Sequence, residues 1–137
     1  MSVFTANELK YLQQQRLGRL ATVDSQGNPH VVPVGFRYNL ETDTIDIGGH
    51  GLSRSKKWRD VDRHPRVAFV VDDVLPPWQP RSIIIQAEAE LLDHGGEEFR
   101  LGFDPQLIRL HPVKLIAWGI DTERQSRFVK DQLSSLG

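Results

Sequence analysis

The chain has no cysteine, a single methionine, only two tyrosines, and nowhere a long unbroken apolar run. The first absence removes disulfides, thiolate nucleophiles and cysteine metal sites together. A membrane helix needs about 18 consecutive apolar residues, and no stretch approaches that. Met1 to Lys10 lacks a basic flank followed by an apolar core, so it does not read as a secretory signal, and the cytoplasm is the expected compartment. A strong excess of one charge is also missing, and a net charge of −1 argues against a general nucleic-acid binder. The five histidines, His30, His50, His64, His94 and His111, show no two-histidine ligand spacing, so no metal site is expected. Asp72 and Asp73 are adjacent and would point to opposite faces of a strand, which excludes a catalytic carboxylate pair. No residue is assigned an acid–base or nucleophilic role.

What is present describes one domain over residues 1–137. Thr5-Ala6-Asn7-Glu8 fits a capping box, and Leu9, Leu12 and Tyr11 predict a short helix to about Gln15. Alternation from Leu17 to Val23, turn residues Asp24 to Asn28, and a second alternating run from His30 to Tyr38 predict a hairpin. Thr44 to Ile47 adds a third strand. A polar helix is expected from about Arg54 to Arg63, with Trp58 and Val61 inward, ended by His64-Pro65. Val67 to Val71 reads as a strand buried on both faces, Asp72 to Arg81 as a stiff loop, and Ser82 to Leu92 as a long strand with one wet face. His94 to Pro105 reads as irregular, Leu107–Leu110 and Val113–Ile120 as two strands split by His111-Pro112, and the tail after Asp121 as nothing regular. Six or seven strands with two short helices predict a mostly β fold, a closed or split antiparallel barrel.

The informative stretch is His50 to Arg66, where six Lys and Arg residues face two Asp, a local charge of +4. Arg54, Lys56 and Lys57 fall in the predicted first helical turn, where the helix dipole disfavours cations. Two readings stand. The stretch is a solvated basic face with Trp58 and Val61 packing beneath it. Alternatively, an anion sits at the helix N-terminus, held by backbone N–H groups, the Ser53 or Ser55 hydroxyls and the lysines. The preceding glycines would allow close approach of a ligand to the backbone.

The segments Leu17-Gly18-Arg19-Leu20-Ala21-Thr22-Val23, Gly27-Asn28-Pro29-His30-Val31-Val32-Pro33-Val34-Gly35-Phe36 and Ser53-Arg54-Ser55-Lys56-Lys57-Trp58-Arg59 resemble the pyridoxamine 5'-phosphate oxidase-like split barrels, of FMN-binding type. Val70 to Asp73, Pro77 to Arg81 and Ala117 to Asp121 extend the likeness, which is greatest to the coenzyme F420-dependent branch. The resemblance implies that Ser55, Lys56 and Lys57 grip a coenzyme phosphate, with Ser53 and Arg54 beside them. It implies that Val32, Pro33 and Val34, on the Val31–Val34 strand, run along the coenzyme ring, and that Gly49 and His50 border the same cleft. Trp78, Arg81 and Trp118 correspond to residues that a homodimer brings near the cleft, although plain packing is the simpler role for Trp118. The implied function is a reductase that passes a hydride from reduced F420 to a small organic acceptor. The alternatives are an FMN-dependent oxidase or flavin reductase of the same fold, or a protein that stores the coenzyme without reacting it. The segments Val74–Pro80 and Gly95–Asp104 are the expected walls of the substrate space.

Overall fold

A computed structural model describes residues 1–99, 102–121 and 124–130. Helix α1, Ala6–Gln14, opens with the expected capping box: the Thr5 hydroxyl accepts from the Glu8 N–H, and the Glu8 carboxylate accepts from the Thr5 N–H. Its buried face carries Tyr11 and Leu12 together with Glu8. That carboxylate is not stranded, because Arg127 donates to both of its oxygens.

Six strands follow in the order β1 (Leu17–Val23), β2 (Pro29–Asn39), β3 (Thr44–Ile47), β4 (Arg66–Leu75), β5 (Gln79–Leu92) and β6 (Leu107–Trp118). Their spatial order is β3-β2-β1-β4-β5-β6, every pair is antiparallel, and β3 also pairs with β6, so the sheet closes into a barrel. A seventh strand, β7 (Gln125–Phe128), is added outside β6. Helix α2, Lys56–Arg63, follows a 3-10 turn at Leu52–Arg54, and the one-turn helix α3, Gly96–Phe99, lies between β5 and β6. Among the described residues no helix is long and apolar enough to cross a membrane.

The barrel interior is filled from alternate positions: Leu20 on β1, Val34 and Phe36 on β2, Phe69 and Val71 on β4, Ile83 and Ile85 on β5, Leu110 and Leu115 on β6. Phe69 meets Phe36 edge to face at 5.3 Å. Gly18 is required beneath it, since a β-carbon there would fall 2.1 Å from the Phe69 ring.

Four expectations need correction. The stretch Asp72 to Arg81 is the end of a hairpin rather than a loop: β4 and β5 stay paired from Asp72↔Ser82 to Leu75↔Gln79, leaving only Pro76, Pro77 and Trp78 in the turn. Its prolines fit because Pro76 and Pro77 stand in the turn and Pro80 at the extreme end of β5. The two strands proposed around His111-Pro112 are one, β6. Pro112 opposes Ala87 while Lys114 opposes Gln86, so Val113 is an extra residue and the missing proline N–H falls at a bulge. The tail contains β7, which adds to the β6 edge from Lys114↔Phe128 to Ala117↔Gln125. Residues 131–137 lie outside the described set. Finally, β4 buries Val67, Phe69 and Val71 inward, but Ala68 and Val70 on its outer side are only half-buried.

That outer side is unusual for a barrel. Directly paired residues share a face, so the register lines up Pro33, Arg19, Val70, Ile84 and Ile116 in one row, and Val31, Ala21, Ala68, Gln86 and Lys114 in the next. A wall facing water normally carries polar residues at these positions. Here most are apolar.

Candidate functional site

Strand β2 is paired to β1 from Pro29 to Gly35, but to β3 only from Phe36 to Asn39. The stretch Pro29–Gly35 therefore presents a bare backbone edge, where the barrel is split. Val32, Pro33 and Val34 lie on this edge. Val31, Val32 and Pro33 are exposed, while Val34 turns into the core.

The chain leaves β3 through Gly48-Gly49-His50-Gly51. Gly51 has φ 62°, a left-handed conformation that suits glycine, and its carbonyl accepts from the Arg54 N–H at 3.0 Å to start the 3-10 turn. Ser55 then caps α2: its hydroxyl accepts from the Trp58 N–H at 3.3 Å and donates to the Leu52 carbonyl at 2.6 Å. This cap starts α2 at Lys56, so Lys56 and Lys57 occupy its first turn and Arg54 does not. The amides of Lys56 and Lys57 are among those a helix leaves without an internal acceptor.

The two lysines are not equivalent. Lys56 Nζ lies 3.5 Å from Asp60 and 3.8 Å from Asp24, and is half-exposed. Lys57 is half-buried and makes no ion pair or hydrogen bond with the described residues. Burial alone pulls its pKa below the ordinary lysine range. An uncompensated, partly desolvated cation is held where an anion would relieve it.

Asp24 joins this turn to the bare edge. The N–H groups of Asn28 and Gln26 donate to its Oδ1, each at 2.9 Å, and hold its pKa down at about 2. Its Oδ2 faces Lys56 and, at 3.6 Å, His30 Nε2 on β2. A buried hydrogen bond from the Thr22 hydroxyl to Asp60, 2.8 Å, pins α2 across the end of β1. The structure thus brings Ser55, Lys56 and Lys57 to the Pro29–His30 end of the bare edge, with Val32 and Pro33 farther along that edge and Gly49, His50, Ser53 and Arg54 on the connection between β3 and α2.

Trp78 and Arg81 are elsewhere. Trp78 is 75% exposed at the tip of the β4–β5 hairpin. Arg81 is engaged inside the fold: its Nε and Nη2 donate to Asp73, which also accepts from the Tyr11 hydroxyl, and its guanidinium stacks on the Tyr11 ring at 4.8 Å. Helix α2 runs into the opposite end of this hairpin at Arg66, and about 30 Å of strand separates Arg66 from Leu75 at the tip. Trp118 ends β6 opposite Ser82, on the outer face.

Two clefts lie on that face. One, of 380 Å³, is lined by Ala21, Val23, Pro29, Ala68, Gln86 and Val113 among others; the second, of 360 Å³, by Arg19, Val70, Val74, Ile84 and Trp118 among others. Neither includes the Ser53–Lys57 turn.

Sequence reasoning missed Asp24, Thr22 and Asp60. The Lys56–Asp60 pair carries a legible i,i+4 spacing, whereas Asp24 looks like any turn residue until the fold sets it beside α2.

A closed six-stranded antiparallel barrel with one strand edge left bare and a basic turn beside it has the architecture of a split barrel. The chain belongs to the pyridoxamine 5'-phosphate oxidase family, whose sequence profile matches residues 4–119. It is 45% identical over 120 residues, 86% of its length and 84% of the relative's, to a 5a,11a-dehydrotetracycline/5a,11a-dehydrooxytetracycline reductase of Streptomyces rimosus. Its fold is similar to a conserved hypothetical protein of Mycobacterium tuberculosis (TM-score 0.69, 16% identity, 96% of both chains covered). It is also similar to an FAD-binding protein of Mycobacterium smegmatis (TM-score 0.65, 19% identity, 91% of this chain and 100% of the other).

Proposed function

We propose that this protein is a reductase that binds a phosphate-bearing flavin-type coenzyme, F420 in its reduced form, and passes a hydride to a small acceptor with an activated C=C bond. The observation that carries the reading is Lys57, half-buried at the start of α2 and without a partner among the described residues, beside the Pro29–His30 end of the bare β2 edge. The residues fit such a coenzyme. Lys57 and the free amides of the first α2 turn would take the phosphate, with Lys56 steadied by Asp24 and Asp60 alongside. The exposed backbone of Val31, Val32 and Pro33 would meet the ring system. When bound, the reduced coenzyme supplies the hydride. The protein's part is to hold the ring and the acceptor in register and to exclude water; the proton completing the reduced bond is expected from water. The 45% identical relative is named for reducing 5a,11a-dehydrotetracycline and 5a,11a-dehydrooxytetracycline, which supports a polycyclic acceptor with an activated C=C bond.

Rapid mixing of the protein carrying reduced F420 with a panel of quinones and polycyclic enones tests this. Oxidation of the coenzyme together with loss of the acceptor's enone absorbance is expected. A bound coenzyme untouched across the panel would favour storage over catalysis.

The apolar outer face supports a homodimer as the working unit, with the second copy covering the two clefts and bringing its Trp78 toward the coenzyme. Light scattering at micromolar concentration should give twice the 15.6 kDa chain mass. A monomer that still binds coenzyme contradicts this arrangement. Trp78→Ala is expected to alter acceptor preference more than coenzyme affinity, since Trp78 lies on the hairpin tip and not on the α2 turn.

A further inference from the structure

Asp104 is an acidic residue brought close to a turn that carries Arg54, Lys56 and Lys57. A carboxylate there opposes an incoming anion, so direct contact with the coenzyme does not account for it. Its contacts do. Asp104 Oδ2 accepts from the Gly51 N–H at 2.6 Å, 53 residues away in sequence, and its own N–H donates to the Gly49 carbonyl at 3.1 Å. The neighbouring Phe103 ring meets His50 edge to face at 5.2 Å and closes on Gly48, where a β-carbon would fall 2.8 Å from it. Residues 103 and 104 therefore clasp the whole Gly48–Gly51 connection.

Gly51 is its pivot. The N–H is held by Asp104, while the carbonyl accepts from Arg54 and fixes the 3-10 turn that runs into the Ser55 cap. Glycine is the residue freest to leave its φ of 62°. With the clasp gone, rotation at Gly51 would loosen the 3-10 turn that leads into the Ser55 cap and shift the first turn of α2, although Leu52 in the core and the Thr22–Asp60 bond keep the helix itself docked.

We propose that Asp104 is a positioning residue for the phosphate grip, acting through Gly51 rather than touching the coenzyme. The proposal rests on the reading of the Lys57 turn given above. It is tested with two probes, F420 and its phosphate-free deazariboflavin core, titrated against the wild type, Asp104→Ala, Asp104→Asn and Lys57→Ala. Asp104→Ala should weaken F420 about tenfold, as expected for a displaced charged contact, and leave the core's affinity unchanged. Asp104→Asn keeps an acceptor oxygen and should restore most of the loss. Asp104→Ser, too short to reach Gly51, should behave like alanine and substitutes for it if that variant fails to fold. If Lys57→Ala weakens F420 and Asp104→Ala does not, the clasp is refuted and the grip stands. Equal weakening of both probes with a lowered melting temperature assigns Asp104 a merely structural role and also overturns the proposal. No effect of Lys57→Ala removes the grip and the clasp together.

Discussion

Lys57→Ala should weaken binding of the phosphate-bearing coenzyme by roughly 10- to 150-fold, the range set by one charge-assisted hydrogen bond. Lys57 is already partly desolvated, and none of the described residues pairs with it. An arriving phosphate then gains an ion pair without breaking one. Lys56 differs, because its ammonium is shared between Asp24 and Asp60, and contact with the phosphate would compete with both. The single Lys56→Ala variant should therefore lose less than Lys57→Ala, and the double variant at least about a hundredfold. A pH signature accompanies this. Burial depresses the Lys57 pKa, and the phosphate favours its charged form, so affinity should decline as pH rises, beginning below the ordinary lysine range. Lys57→Arg should keep affinity level over that interval, since guanidinium stays protonated. Calorimetric titrations across pH read both effects, and unchanged affinity in folded Lys57→Ala would refute the assignment.

Asp46→Ala should cost about 3–5 kcal/mol of folding stability, the penalty for breaking a buried ion pair from one side. Asp46 is 0% exposed on β3 and collects four donors: Arg109 Nε at 3.0 Å and Nη2 at 3.3 Å, Asn39 Nδ2 at 2.9 Å, and the Thr44 hydroxyl at 3.4 Å. Arg37 Nη2 approaches to 3.8 Å, and Arg37 Nε is buried without an acceptor among the described residues. Removing the carboxylate leaves two guanidiniums facing each other across β3, the strand that closes the barrel and leads to the glycine turn. Asp46→Asn should recover only part of the loss, because its amide N–H groups would oppose Arg109 and Asn39. Urea unfolding measures both variants; a loss below about 1 kcal/mol, typical of an exposed pair, would show that this network is not what holds β3.

Much of this architecture is legible in the residues. The capping box at Thr5, the β1–β2 hairpin and the inward face of Ile83, Ile85 and Ala87 follow from local chemistry and alternation, and the structure has them so. The misread parts share a cause: long-range pairing overrides a local signal. Prolines between Asp72 and Arg81 suggest a loop, but ten paired positions carry the hairpin almost to Trp78. Gln125–Phe128 has no strand pattern of its own and becomes a strand because β6 offers an edge and Arg127 finds Glu8. The site divides in the same way. The basic run at Arg54–Lys57 stands out against the helix dipole, whereas the split between Lys56 and Lys57 depends on Asp24, a turn residue more than thirty positions away in sequence. Asp104 is equally silent until the chain folds Gly51 onto it.

Under the proposed function, Lys57 and the bare β2 edge together hold a phosphate-bearing deazaflavin. The direct measurement is a pair of titrations of the purified wild-type protein, one with F420 and one with FMN, each repeated with Lys57→Ala. Expected are a colourless protein as isolated, saturable F420 binding tighter than FMN binding, and loss of that advantage in the variant. A yellow protein that holds FMN and ignores F420, or one that binds neither coenzyme, would rule out the deazaflavin assignment.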